Sequence, residues 1–175
     1  MSHTDAVARA VRNIPDYPKP GIQFKDITPI LLDYQLMAQA VEELAEPFLK
    51  DGITKVLGIE ARGFILGAAL AQRLKAGFVP VRKKGKLPYI TIGAHYALEY
   101  GHDTIEMHID AIQPQDRVLI HDDVIATGGT AAAAYEIAKK VGADVVGYSF
   151  LVELAFLNGR RALDGNLRVH SVLTY

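Results

Sequence analysis

Residues 118 to 141 constrain the fold more than any other stretch of the chain. A short apolar run, Val118-Leu119-Ile120-His121, meets two adjacent carboxylates, Asp122 and Asp123. A loop of small residues with paired glycines follows, Val124-Ile125-Ala126-Thr127-Gly128-Gly129-Thr130, and then an alanine-rich helical segment. A buried strand that passes through a tight loop into a helix leaves backbone N–H groups free at the helix start. Those donors and the helix dipole both favour an anion there, typically a phosphate. Two neighbouring acids repel a bare phosphate. They suit a phosphate that carries a sugar, because carboxylates accept strong hydrogen bonds from hydroxyls. The glycines permit positive φ and close approach of the backbone to a ligand. The plainer alternative is a strand-to-helix turn with solvated acids.

The remaining pattern supplies the setting. Strand-like segments at 56–59, 78–81, 117–121, 145–151 and 167–173 are separated by helical ones at 34–50, 63–75 and 130–141. A further helix is expected over 4–13, a proline-bearing extended loop over 14–21, and β-rich structure over 87–110. The alternation predicts an α/β fold with a central, mostly parallel sheet flanked by helices. Ligands of such sheets sit beyond the carboxyl ends of the strands, at a switch in strand order. That rule gathers three loops: Glu60-Ala61-Arg62-Gly63, Arg82-Lys83-Lys84-Gly85-Lys86, and 122–130.

Composition excludes several classes of function. The 175 residues suit a single domain over 1–175, half of them hydrophobic and 22% charged, with net charge −1. That balance gives no broad surface for nucleic acid or membrane. The absence of cysteine excludes disulfides, thiolate metal sites and cysteine nucleophiles. No apolar run approaches the ~20 residues that span a bilayer. No signal peptide is visible, so a cytoplasmic location is expected.

The segment Asp122-Asp123-Val124-Ile125-Ala126-Thr127-Gly128-Gly129-Thr130 resembles the phosphoribosyl-pyrophosphate (PRPP) motif of the type I phosphoribosyltransferases. It is most similar to the form found in members that act on adenine. Competing nucleotide motifs fit worse. No Gly-x-Gly-x-x-Gly follows a strand, and Gly85-Lys86 is followed by Leu87 rather than Ser or Thr.

The resemblance implies a role for each segment. Asp122, Asp123, Ala126, Thr127, Gly128, Gly129 and Thr130 would bind PRPP. Ala61 and Arg62, with a cis peptide at Glu60–Ala61, would form the pyrophosphate loop, joined by Arg82, Lys83 and Lys86. Leu98-Glu99-Tyr100-Gly101 matches the family's loop signature, with Glu99 as proton handler at the purine and Tyr100 closing over pyrophosphate. These two are the catalytic candidates. Phe24, Lys25 and Leu154 would take adenine, Phe24 by stacking.

The family also implies a small hood from both termini, a mobile β-rich lid, a homodimer, and Mg²⁺ bound mainly through PRPP, pyrophosphate and water. No protein metal ligands are assigned. The implied reaction is transfer of the 5-phosphoribosyl group from PRPP to adenine, giving AMP and pyrophosphate. The alternatives are another base or a non-catalytic PRPP-binding regulator.

Taken singly, several of these segments have bland readings. Glu60 and Arg62 could cap a helix, the cationic run could be a solvated face, residues 98–101 could be an exposed hairpin turn, and Phe24 and Leu154 could be core. Two positions depart from the family pattern: Gln23 stands where a small aliphatic residue is expected, and His121 where an aliphatic one is commoner. His121 reads as a packed histidine without a catalytic role.

Overall fold

The structure is a computed structural model that describes residues 3–97 and 102–175. Helix α1 (His3–Ala10) leads into an antiparallel ribbon of β1 (Arg12–Pro15) and β2 (Gln23–Asp26). A short helix α2 (Thr28–Leu31) and then α3 (Tyr34–Ala45) follow. The chain continues as β3 (Lys55–Ile59), α4 (Gly63–Arg73), β4 (Gly77–Lys83), β5 (Thr91–Ala97) and β6 (His102–His108). It closes with β7 (Arg117–Ile125), α5 (Gly129–Val141), β8 (Asp144–Glu153) and β9 (Arg168–Thr174).

Seven strands form one sheet in the order β5-β6-β4-β3-β7-β8-β9. The five strands from β4 to β9 in that order run parallel, while β6 and β5 form an antiparallel edge. The expected mostly parallel sheet is therefore present. From β3 the chain goes first to β4 on one side and later to β7 on the other. The strand order thus reverses between β3 and β7, and a crevice opens there at their carboxyl ends.

Side-chain alternation along each strand divides the core between the two faces of the sheet. Leu57, Val79 and Ile120 pack toward Ala134, Ile137 and Ala138 of α5. Val56, Leu119 and Leu151 pack toward Leu44 of α3 and Leu66 and Leu70 of α4. Each buried Val, Leu or Ile among them contributes roughly 1.5–3 kcal/mol of transfer free energy. Among the described residues, no helix is long and apolar enough to cross a membrane.

Several boundaries differ from expectation. The helix expected over 4–13 stops at Ala10, because Arg12 and Asn13 already pair with Asp26 and Lys25 in the β1–β2 ribbon. The helix expected over 34–50 stops at Ala45 and ends in a 3₁₀ turn, Glu46–Phe48. Pro47 has no N–H to offer the Glu43 carbonyl, which instead accepts from His170 Nε2 at 2.9 Å. The loop expected over 14–21 begins inside a strand, because Pro15 pairs with Gln23. The loop is closed where the Gly21 N–H donates to Asp16 Oδ1 at 2.7 Å. Finally, β7 does not stop before the acids but runs through them to Ile125. The neighbouring β8 supplies ladder partners the whole way, Asp122 facing Phe150 and Ile125 facing Glu153.

Candidate active site

Asp122 and Asp123 are at the crevice because β7 outruns β3. The pairing of β3 with β7 ends at Gly58–His121, one residue before the acids. Beyond that point α4 takes over. A Cβ on Gly63 would lie 2.8 Å from Asp122 Oδ1, so only glycine lets the first turn of α4 close on this carboxylate. Burial, and then the neighbouring Asp123 charge, push the Asp122 carboxyl well above the usual range. Burial also raises Asp123, against the pull of Arg62.

Arg62 spans the crevice. Its Nε lies 2.7 Å from Asp123 Oδ2, and its guanidinium carbon lies 5.3 Å from the centre of the Phe24 ring. The ion pair is close but not aligned as a hydrogen bond, so Asp123 Oδ2 is buried without a donor. An acceptor of that kind at the mouth of a cavity suits a ligand hydroxyl.

The cavity has a volume of about 590 Å³. It brings together expected residues from five separate segments: Phe24 and Lys25, Ala61 and Arg62, Asp122 and Asp123, Ala126, and Leu154. Ile22, Gln23, Glu60, Val124, Phe156 and Leu157 also line it. Of these six, only Gln23 was marked from the sequence, as a departure within the base-binding segment; none was assigned a ligand contact. The available signal was Phe156, an aromatic three residues beyond the end of β8.

A smaller cavity of about 80 Å³ adjoins it, lined by Thr127, Gly128 and Thr130 and sharing Asp122, Val124 and Ala126 with the larger one. Gly128 caps α5 with φ +80, and no side chain caps that helix. A Cβ on Gly128 would lie 2.2 Å from the Gly159 carbonyl oxygen, so the loop is braced by backbone against backbone. Among the described residues, no backbone acceptor outside a helix or strand receives the N–H groups of Thr127 through Ala131. The first loop-to-helix bond is that of the Ala132 N–H to the Gly128 carbonyl, at 2.9 Å. Among the described residues this is a helix start without a side-chain cap and with unpaired backbone donors, which favours an anion. Gly129 lines a third cavity, on the side where Tyr96 lies.

The cationic run is anchored by Glu60. Arg82 Nη2 donates to Glu60 Oε1 at 2.8 Å, and the Lys83 N–H donates to Glu60 Oε2 at 3.1 Å. The hydrogen bond from Arg82 holds the Glu60 carboxyl below its usual range. Arg82 Nη1 also donates to the Lys86 carbonyl at 2.9 Å, which curls the run back on itself. Arg82 Nε is buried without a partner. The Glu60–Ala61 peptide is cis, as the family resemblance implies. Arg62 is at the N-cap of α4 but makes no side-chain cap bond. The plain capping role considered for Glu60 and Arg62 is therefore not what these side chains do. Glu99 and Tyr100, with Leu98 and Gly101, lie outside the described residues.

The far wall is held by an ion pair. Arg160 Nε and Nη2 donate to both oxygens of Glu153 at 2.7 and 2.6 Å, and Arg160 Nη1 donates to the Val169 carbonyl at 3.1 Å. This fixes the segment that carries Leu154 and Phe156. Lys25 Nζ lies 4.0 Å over the ring of Tyr175. Gln23 Oε1 accepts from Asn13 Nδ2 at 2.6 Å across the β1–β2 ribbon. His121 is fully buried, with Nδ1 2.8 Å from the Ser149 carbonyl oxygen, and burial lowers its pKa to about 4. It packs beneath the acids, as expected.

The chain is similar to known proteins in sequence and fold. A family model described as the phosphoribosyl transferase domain matches residues 29–162. The adenine phosphoribosyltransferase of Neorhizobium galegae is 53% identical over 163 residues, covering 93% of this chain and 90% of its own. The crystal structure of adenine phosphoribosyltransferase from Rhodothermus marinus is 60% identical with a TM-score of 0.94, covering 99% of this chain and 98% of that one. The Saccharomyces cerevisiae enzyme, complexed with an imino-altritol bisphosphate and adenine, is 39% identical with a TM-score of 0.92, covering 98% of both chains. A switch-point crevice, an uncapped helix start, two adjacent buried acids and this degree of identity lead to one conclusion: the chain belongs to the phosphoribosyltransferase family, among the adenine phosphoribosyltransferases.

Proposed function

We infer that this chain transfers the 5-phosphoribosyl group from PRPP to adenine, releasing AMP and pyrophosphate, as a purine-salvage enzyme. The observation that carries this is the pair of adjoining cavities. One is lined by a phosphate-type loop, and the other by an aromatic face, buried acids and a guanidinium.

The residues divide the work by charge. Amides of Thr127 to Thr130 take the 5′-phosphate, a remote group whose binding orients the reacting carbon. Asp122 and Asp123 accept from the ribose hydroxyls, and their negative charge favours the cationic sugar that forms as the C1–O bond breaks. Arg62, Arg82, Lys83 and Lys86 place fixed positive charge where the leaving group develops. One such preorganised donor is worth about 3 kcal/mol of barrier. Phe24 and Leu154 sandwich the purine. Glu99 handles the proton at N7 as N9 attacks, and Tyr100 closes over the pyrophosphate.

Among the described residues, no cluster of three or more His, Asp or Glu side chains is placed to hold a metal ion. Asp122 and Asp123 would be the nearby acceptors for Mg²⁺ carried by the substrate, an ion that keeps oxygen and water ligands. When bound, the ion would neutralise charge on the pyrophosphate.

A homodimer and a cytoplasmic location belong to the same proposal. An apolar groove of about 540 Å³ between α3 and α4, lined by Tyr34, Met37, Val41 and Ala69, supports the former.

The test is to incubate the protein with PRPP, Mg²⁺ and each of adenine, hypoxanthine, guanine, xanthine and orotate, and to measure pyrophosphate release. Release with adenine alone is expected. Release with another base in preference to adenine would refute the assignment, and no release with any base would point to the regulator.

A further inference from the structure

The β1–β2 ribbon carries Phe24 and Lys25, yet it is a sheet of its own and shares no ladder with the seven central strands. Leu154, on the opposite side of the proposed purine slot, follows directly on β8 of the central sheet. No ladder bond fixes the distance between these two walls. Side chains that cross from ribbon to sheet therefore bear on the width of the slot.

Tyr175 meets both walls. Its N–H donates to the Glu153 carbonyl at 2.9 Å, and its own carbonyl accepts the Ala155 N–H at 2.9 Å. Leu154 lies between those two partners, and its N–H donates to the Ile125 carbonyl of β7 at 3.0 Å. Leu154 and Tyr175 are thus locked to the central sheet together. The Tyr175 ring then reaches the ribbon, where Lys25 Nζ lies 4.0 Å from its centre. Among the described residues, no carboxylate forms an ion pair with Lys25. Lys25 is half-buried, and a lysine without a partner would spread over many rotamers. The electron-rich face of the ring attracts the ammonium and restricts it. Lys25 and Leu154 line the large cavity, whereas Tyr175 does not. Any effect of Tyr175 on a ligand must pass through those two residues.

We propose that Tyr175 is a positioning residue for the base slot: its backbone fixes the Leu154 wall and its ring holds the Lys25 wall at a set distance from it. This rests on the reading that Phe24, Lys25 and Leu154 take adenine. The other cation on the ribbon is Arg62, whose guanidinium carbon lies 5.3 Å from the centre of the Phe24 ring. In the proposed complex the purine stacks on Phe24 and Arg62 serves the pyrophosphate. The contact of Lys25 with Tyr175 is then the tie that persists while the base is bound. It acts on the base and not on the ribose or the phosphates, so its loss separates the two substrates.

The experiment is steady-state kinetics of pyrophosphate release with adenine, PRPP and Mg²⁺, on the native chain, Tyr175→Leu, Tyr175→Gln and Tyr175→Phe. Folding is checked by thermal unfolding. Leu and Gln both remove the ring, so a folding defect in one leaves the other to decide. Phe keeps the face and removes only the hydroxyl. The KM for adenine is expected to rise about threefold or more without the ring, the worth of one cation over an aromatic face. The KM for PRPP and kcat should stay within about twofold of native, and Tyr175→Phe should match native in all three. In a Lys25→Met background the effect of Tyr175→Leu should vanish, as two members of one contact require. An unchanged KM for adenine without the ring overturns the proposal. So does an equal rise in Tyr175→Phe, an equal rise in the Lys25→Met background, or a matching rise in the KM for PRPP. No turnover of adenine by the native chain overturns the site reading itself, and the proposal with it.

Discussion

Asp122 serves the filled site and destabilises the empty one. Its carboxyl titrates above the usual range in the folded protein, so the favourable contribution of its neutral form is present at low pH and is lost as pH rises through the folded value. Ionising the carboxyl therefore works against folding. Asp122→Asn is expected to raise the melting temperature of the ligand-free protein by about 2–6 °C. The same change should lower kcat/KM for PRPP by roughly tenfold or more, the worth of a hydrogen bond to a charged group. A fall in melting temperature, or unchanged kinetics, would contradict this account of the residue.

His121 carries the opposite sign. Its folded pKa of about 4 lies below the ordinary 6.5, so stability is complete above about pH 6.5 and is lost as pH falls toward 4. The loss amounts to about 3 kcal/mol at most. His121→Leu should flatten that slope between pH 7.5 and 5 in chemical denaturation, whatever it does to stability at neutral pH. An unchanged slope would remove His121 from the acid-sensitive groups. That His121 packs was legible in the sequence, because it follows three apolar residues of a buried strand. Its partner Ser149 was not legible, because the register of β7 on β8 chooses it.

At the scale of the element, the strand–loop–helix run was read correctly in order but not in its boundary. Polarity placed the end of β7 before Asp122, whereas ladder bonding to β8 carries the strand to Ile125. The β1–β2 ribbon was hidden for a related reason: its two four-residue strands flank prolines, and neither has a periodic pattern of its own. A helix-start reading of Glu60 stood beside the pyrophosphate-loop reading because its partner Arg82 lies 22 positions away.

The loop of α5 gives the sharpest test at this scale. Gly128→Ala demands φ +80 from a residue with a Cβ and drives that Cβ against the Gly159 carbonyl. Left-handed backbone alone costs a non-glycine residue about 1–3 kcal/mol. Ribose 5-phosphate should bind at least tenfold more weakly to this variant, with far-UV circular dichroism unchanged. Native affinity would show that the loop does not need its observed shape.

For the whole molecule, the alternation of apolar strands and helices was enough to foresee the mostly parallel sheet and a crevice at the strand ends. Strand order was not foreseeable in the same way, since nothing local to β7 says that it lies beside β3 rather than β4. That adjacency is what brings Arg62, from the end of β3, within 2.7 Å of Asp123 on β7. The cavity wall at Phe156 and Leu157 likewise depends on where the last turn folds, which Glu153 and Arg160 decide. The charges that would grip a leaving group and those that would hold a sugar thus meet only through topology.

The central claim is that free amides at the start of α5 hold the 5′-phosphate while the buried acids hold the ribose. Backbone amide resonances of ¹⁵N-labelled protein, followed during titration with ribose 5-phosphate, test it most directly. Large shifts at Thr127, Gly128, Gly129 and Thr130, with smaller ones at Asp122 and Asp123, are predicted. Saturable binding that leaves those four amides unmoved would contradict it.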